Sequence, residues 1–177
     1  MKQPAKYSEI RDSIKTGDKI LWKGTGRISR LIRWFSKDFS HASFVVRLDQ
    51  YQGLRGRVFL VNATLKSGVT FQLLSERLVE EHGQAYLFQP SGITERQRET
   101  CHTLAILAAA EGYEYDSWGV LKNIFGRVFV DAEKFFCTEV GWWLWKEGGF
   151  VSGEIAPRPG DIPEWIDGEL TPILGIS

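Results

Sequence analysis

Residues 42–48 read Ala-Ser-Phe-Val-Val-Arg-Leu and residues 57–65 read Arg-Val-Phe-Leu-Val-Asn-Ala-Thr-Leu, with Gly53 and Gly56 in the polar stretch between them. β-branched and aromatic residues fill both runs, and the glycines mark a reversal. The pair predicts an antiparallel hairpin with a loose connecting loop. Outward from it, Gly17-Asp18 is a turn signal and Lys19–Lys23 (KILWK) reads as a short strand behind that turn. Val69–Leu74 and Gln84–Gln89 suggest two more strands, separated by the charged stretch Ser75–Gly83. The expected sheet is small and antiparallel.

Helical periodicity appears in three places. From Arg27 to Phe35, the apolar positions Ile28, Leu31, Ile32 and Phe35 share one face, while Arg27, Arg30 and Arg33 form a solvated face or a cationic rim for an anionic lipid headgroup. Thr94 and Gln97 have capping-box spacing and open a helix that runs through Cys101, Leu104, Ala105 and Ala108 to near Gly112. A further helix begins near Cys137 and stops at Gly148-Gly149. On it Trp142, Trp143 and Trp145 should bury at least two rings, and Gly141 lets another element approach closely. Residues 1–16 read as a polar lead-in with Ser8 or Asp12 as candidate caps. Residues 157–177, broken by Pro157, Pro159, Gly160 and Pro163, read as an irregular C-terminal wrap. With no repeat and no long linker, residues 1–177 are expected to form one α+β domain, a sheet flanked by helices.

Composition narrows the function. Lys+Arg and Asp+Glu both number 22, so the formal net charge is zero, which argues against a dedicated nucleic-acid partner. Hydrophobic residues at 43% exclude a disordered chain. Cys101 and Cys137 cannot build a disulfide framework or a four-cysteine zinc site, and no metal or cofactor is expected. The N-terminus lacks a signal-length apolar stretch. The longest apolar run, Leu104 to Ala110, falls far short of the roughly 20 residues of a membrane helix. A cytoplasmic protein without a transmembrane segment is the expectation, with contact to a membrane surface left open by the Trp-rich stretch near Trp142.

Three features carry chemistry: Ser40-His41 at the start of a strand, Asn62 inside the next strand, and Phe136-Cys137-Thr138-Glu139 opening a helix. A cysteine nucleophile acts as thiolate, and a helix N-terminus lowers the thiol pKa below its free value of about 8.5. An imidazole completes the pair and a third polar group holds its ring. If the hairpin turn centres between residues 51 and 53, Asn62 falls across or diagonal to His41, with Cβ atoms about 4.5–8 Å apart. Asn is also an awkward guest among Phe59, Leu60, Val61 and Ala63. Each residue has a plainer reading: Cys137 as a small buried hydrophobe, His41 as a structural histidine, Asn62 as an edge cap. Cys101 reads as core and His82 as solvated.

In their order along the chain, Gly17-Asp18, Ser40-His41-Ala42-Ser43-Phe44-Val45, Val61-Asn62-Ala63, Phe136-Cys137-Thr138-Glu139-Val140 and Pro159-Gly160-Asp161 resemble the permuted papain-like amidase family of YaeF/YiiX type, a circular permutation of the NlpC-type cysteine peptidases. The resemblance spans roughly residues 17–165. It implies a papain-like fold, Cys137 as nucleophile, His41 as general base and Asn62 in the orienting position, where the family usually carries Glu. Tyr115, in a segment similar to the family's Tyr-x-x-Gly stretch, is implied to place a hydroxyl at the oxyanion or substrate. The Cys137 backbone N–H would be another donor.

The activity so implied is hydrolysis of an amide through an acyl-enzyme, on a peptide, a cell-wall fragment or an acylated lipid. Two other functions fit the same order of residues. One is an acyltransferase similar to the lecithin:retinol acyltransferase group, whose Asn-Cys-Glu-His segment this chain lacks. The other is a binding module that keeps the fold without catalysis.

Overall fold

The hairpin closes through a tight turn, not a loose loop. Gln52 and Gly53 both take positive φ, 48° and 74°, the conformation of a two-residue connection whose twist matches its strands. The strands therefore run longer than the apolar pattern suggested: β3 is His41–Tyr51 and β4 is Leu54–Thr64, paired from Tyr51↔Leu54 to Phe44↔Val61. The computed structural model describes residues 4–26, 34, 37–64, 68–80, 83–110, 132–153 and 155–174, with 63, 64, 68, 132–137 and 174 described by backbone alone.

Around the hairpin lie β1 (Ala5–Lys6), β2 (Lys19–Lys23), β5 (Gly68–Leu73), β6 (Gln84–Pro90) and β7 (Gly168–Leu174). They form one seven-stranded sheet in the order β1-β7-β6-β2-β3-β4-β5, antiparallel except for β1 against β7. Helices among the described residues include α1 (Tyr7–Ile10), α2 (Leu74–Glu80), α3 (Glu95–Ala110), α4 (Ala132–Glu147) and α5 (Ile162–Trp165).

Several expectations change. The tail is not an irregular wrap, because residues 168–173 pair with β6. Pro172 is tolerated because β1 reaches only Ile173 and Leu174 on the other side, leaving Pro172 at an effective edge. The charged stretch after β5 is helix α2, whose Leu74 and Leu78, one turn apart, are both buried. Neither Ser8 nor Asp12 caps a helix. Ser8 lies within α1, and at its start the Lys6 N–H donates to Glu9 Oε2 at 3.3 Å. The α3 cap is as expected, with Gln97 N–H donating to Thr94 Oγ1 at 3.3 Å and Thr94 N–H to Gln97 Oε1 at 2.9 Å. The helix expected over Arg27–Phe35 lies outside the described residues apart from Trp34.

The sheet buries both faces. Leu21, Ala42, Phe44, Val61 and Phe88 face α3 and α4, while Ile20, Val45, Leu60 and Leu87 face Leu74 and Leu78 of α2. Strict alternation along each strand sorts them. At one corner the buried Asp18 carboxylate accepts from Arg98 Nη1 at 2.9 Å, Gln89 Nε2 at 3.1 Å and the Lys15 N–H at 2.9 Å. These bonds tie β2, β6 and α3 together. Burial still raises the Asp18 pKa, against the opposing pull of these partners.

Helix α4 docks through Gly141. A Cβ there would stand 2.9 Å from Lys19 Nζ and 3.2 Å from Phe44 Cβ, so only a bare Cα permits the approach. One turn on, the Trp145 indole N–H donates to the Gly17 carbonyl at 2.8 Å, and Lys19 Nζ lies 4.1 Å above its ring centroid. Lys19 is fully buried, and desolvation pulls its pKa down to about 7.

Two outcomes follow. Gly141→Ala gains at most about 1 kcal/mol of helix propensity but collides with the Phe44 stem, whose displacement costs roughly 1–3 kcal/mol. The expected net loss of about 1–2 kcal/mol is read as a lower urea midpoint. For Lys19, the folded pKa near 7 lies below the unfolded value of 10.5, so the unfolded chain holds more protons between those limits. Its penalty is complete below pH 7 and relieved as pH rises toward 10.5. Lys19→Met should stabilise the protein at pH 6–7, by up to roughly 5 kcal/mol, and flatten the rise in thermal midpoint between pH 7 and 10.

Candidate functional site

His41 begins β3 opposite Trp22, and Ser43 stands opposite Ile20. The start of the strand is pinned. The Ser40 N–H donates to the Trp22 carbonyl at 2.8 Å, and Ser40 Oγ accepts from the Gly24 N–H at 3.0 Å. The His41 side chain is buried, and its Nε2 lies 3.1 Å from Ser43 Oγ, which also accepts the Trp22 indole N–H at 3.0 Å. Ser43 Oγ has two lone pairs and one proton, so it can accept from both rings or give its own proton to Nε2.

Continuing the β3–β4 register one step beyond Phe44↔Val61 sets Asn62 across from Ser43 and diagonal to His41, on the same face. The Asn62 amide, however, donates through Nδ2 to Gln72 Oε1 at 3.1 Å, and Gln72 Nε2 donates to Glu80 Oε2 at 3.0 Å. A group in contact with the His41 ring is Ser43. Its signal in the sequence is the i, i+2 spacing from His41, which puts both on one side of a strand.

Cys137 belongs to α4, on the other side of the sheet. Helix α4 covers the face of Ala42, Phe44 and Val61, whereas His41 shares its face with Trp22 and Ser43. Along its length α4 runs in the direction of β3: Gly141 sits at Phe44, and Trp145 reaches Gly17, whose N–H donates to the Val45 carbonyl. Cys137, one turn before Gly141, is therefore at the His41 end of β3. The helix begins at Ala132, not near Cys137. Cys137 is thus past the first turn, where the helix dipole acts, and its N–H belongs to the i→i−4 ladder and is not an orphan donor for an oxyanion. Tyr115 lies outside the described residues.

Two polar groups next to Cys137 on α4 are unusual. Thr138 Oγ1 is buried with no hydrogen-bond partner among the described residues. Glu139 is half-buried, and desolvation pushes its carboxyl up to about 7. Cys101 is core, as expected: its thiol donates to the Leu144 carbonyl at 3.1 Å, and burial raises its pKa to about 11. Trp142 and Trp145 are buried, as the helix pattern required. Among the described residues no cluster of three His, Cys, Asp or Glu side chains is placed to hold a metal, and no helix is long and apolar enough to cross a membrane.

No family model matches this sequence, and no curated protein does. Among solved structures, one described as the metalloprotein YiiX from Escherichia coli O157:H7 (DUF1105) is 16% identical, aligns over 92% of this chain and 97% of its own, and superposes with a TM-score of 0.47.

Proposed function

We propose that this chain is a cysteine-dependent hydrolase of the papain-like type, an amidase or peptidase acting through an acyl-enzyme. Cys137 is the nucleophile and His41 the general base. The observation that supports this most is the shared direction of α4 and β3, which brings the Cys137 turn to the end of the sheet where His41 starts its strand. Because the ring and α4 belong to opposite faces, sulfur and imidazole must meet around the start of β3 and not across it.

In this mechanism His41 carries its proton on Nε2, donated to Ser43 Oγ, and presents Nδ1 as the base. Ser43, itself anchored by Trp22, does the orienting work first assigned to Asn62. The Cys137 thiolate attacks the acyl carbonyl carbon, and His41 protonates the departing amine. Water activated by the same imidazole then cleaves the thioester and returns the free thiol. Tyr115 is the proposed oxyanion donor, since the Cys137 N–H is held within the helix. The substrate is a peptide, a cell-wall fragment or an acylated lipid.

One finding favours a second reading, a binding module of the same shape: Cys137 lies inside α4, without the N-terminal field that activates such thiols. Intact-mass spectrometry with activated esters of N-acyl amino acids and of fatty acids separates the two. A hydrolase shows an acyl adduct that is absent in Cys137→Ala, with turnover in His41→Ala down about 10²–10⁴-fold. Ser43→Ala should fall about tenfold, the worth of one ring-orienting hydrogen bond, and Asn62→Ala by less than about threefold. No adduct with any donor favours the binding module. An adduct passed to an added amine in preference to water makes the protein a transferase.

A further inference from the structure

From Arg47 and Val58 outward, β3 and β4 leave the rest of the sheet. β2 pairs with β3 only as far as Phe44, and β5 pairs with β4 only from Phe59. Among the described residues, 47–58 therefore form a two-stranded arm whose ladder is its own, and all of residues 49–55 are exposed. A two-stranded ribbon is marginal by itself. This one is braced at its base by the segment before β2. Arg11 Nη2 donates to the Arg55 and Gly56 carbonyls at 3.0 Å, and the Arg47 N–H donates to Thr16 Oγ1 at 2.9 Å. The arm thus presents its tip in a fixed orientation.

That tip is apolar and the shaft behind it is basic. Tyr51 and Leu54 are cross-strand partners beside the turn, 39% and 50% exposed, with the Tyr51 ring edge-on to Phe59 at 5.0 Å. Residues 47–58 carry Arg47, Arg55 and Arg57 against the single Asp49, an excess of two positive charges in a chain of zero net charge. A cleft of about 580 Å3 behind the tip is lined by Asp12, Arg47, Asp49, Gln50, Arg55 and Gly56. The Arg47 guanidinium is fixed there, since Nη1 donates to the Arg11 and Ile14 carbonyls at 2.7 and 3.0 Å. Its Nη2 lies 3.4 Å from the exposed Asp12 carboxylate, an ion pair of the kind that contributes little. A Cβ at residue 56 would stand 2.7 Å from Nη2, so the bare Cα of Gly56, at φ 59°, keeps that side of the guanidinium uncovered. A guanidinium so fixed, with donors to spare, suits the oxygens of a phosphate.

We propose that the arm is a membrane-docking element: Tyr51 and Leu54 enter the interface of a bilayer, and Arg47 and Arg55 take the phosphate of an anionic phospholipid. The charge excess has the sign that such a surface attracts. Two apolar side chains are far too few for a second copy of this chain or another protein, whose standard interface buries about 800 Å2 on each side. Trp142, near which contact with a membrane was expected, is buried. The proposal stands apart from the hydrolase reading, and partition is measured without turnover.

The test is co-sedimentation of the full chain with vesicles of phosphatidylcholine mixed with phosphatidylglycerol, and with vesicles of phosphatidylcholine alone. Partition should favour the anionic vesicles and fall with added salt. Arg55→Gln should weaken it about fivefold, the effect of one basic residue at an anionic surface, and Leu54→Ser by a similar factor. Both side chains are exposed, so the urea midpoint should not move in either variant. Hydrogen exchange with anionic vesicles present should slow within residues 47–58. No partition onto anionic vesicles, equal partition onto phosphatidylcholine alone, or partition unchanged in either variant overturns the proposal. So does slowed exchange elsewhere with the arm unaffected. Binding lost in Trp165→Ser but kept in both arm variants also overturns it, and moves the membrane contact to the exposed ring beside Trp142.

Discussion

The contact on which the rest depends is the one at Gly141, where α4 lies against Lys19 and Phe44 with no side chain between. It sets the height of the helix over the sheet and its direction along β3, and the indole of Trp145 on the Gly17 carbonyl fixes its far end. Two anchors one turn apart leave the helix little freedom to slide. The turn that carries Cys137 is placed at the His41 end of the strand by these contacts alone, with no direct hold on the cysteine required.

The seam between α4 and the sheet is also where the molecule is least satisfied. Lys19 Nζ and Thr138 Oγ1 are buried without hydrogen-bond partners among the described residues, and Glu139, one residue further along, is half-buried. Their costs coincide in pH. Glu139 is raised to about 7, so its ionisation works against folding as pH climbs from about 4.5, while Lys19 is lowered to about 7, and its penalty is relieved only above that. The seam is therefore least favourable near neutrality. Elsewhere the core is orderly, as at Asp18, where three donors converge on one buried carboxylate. Among the described residues a third buried polar atom without a hydrogen-bond partner, Arg57 Nε on β4, is not part of this seam.

The opposite face of the sheet is built differently. Ser40, Trp22 and Ser43 hold the start of β3 through backbone and side-chain hydrogen bonds, and the His41 ring is fixed by the same group that receives the indole N–H. Ser43 thus supplies one hold on the orientation of the imidazole. That gives a physical account of how Asn can stand at residue 62, bonded to Gln72, without leaving the ring unsupported.

Much was legible in the chain itself. β-branched and aromatic runs on either side of a glycine-containing turn determined the hairpin and its antiparallel pairing, because strand propensity and turn chemistry act between near neighbours in sequence. The Thr94–Gln97 cap and the small residue at 141 announced a helix start and a close approach for the same reason. The tail strand was hidden by its prolines, since pairing with β6 overrides local preference, whereas Asp131, directly before Ala132, is an N-cap residue type that the reading from Cys137 passed over. Which face α4 would cover, that Ser43 and not Asn62 would touch the imidazole, and that a lysine in a short strand would lose all contact with water depend on residues far apart in sequence. Only tertiary packing decided them, because burial and hydrogen-bond choice are properties of the assembled sheet and helices and not of any segment alone.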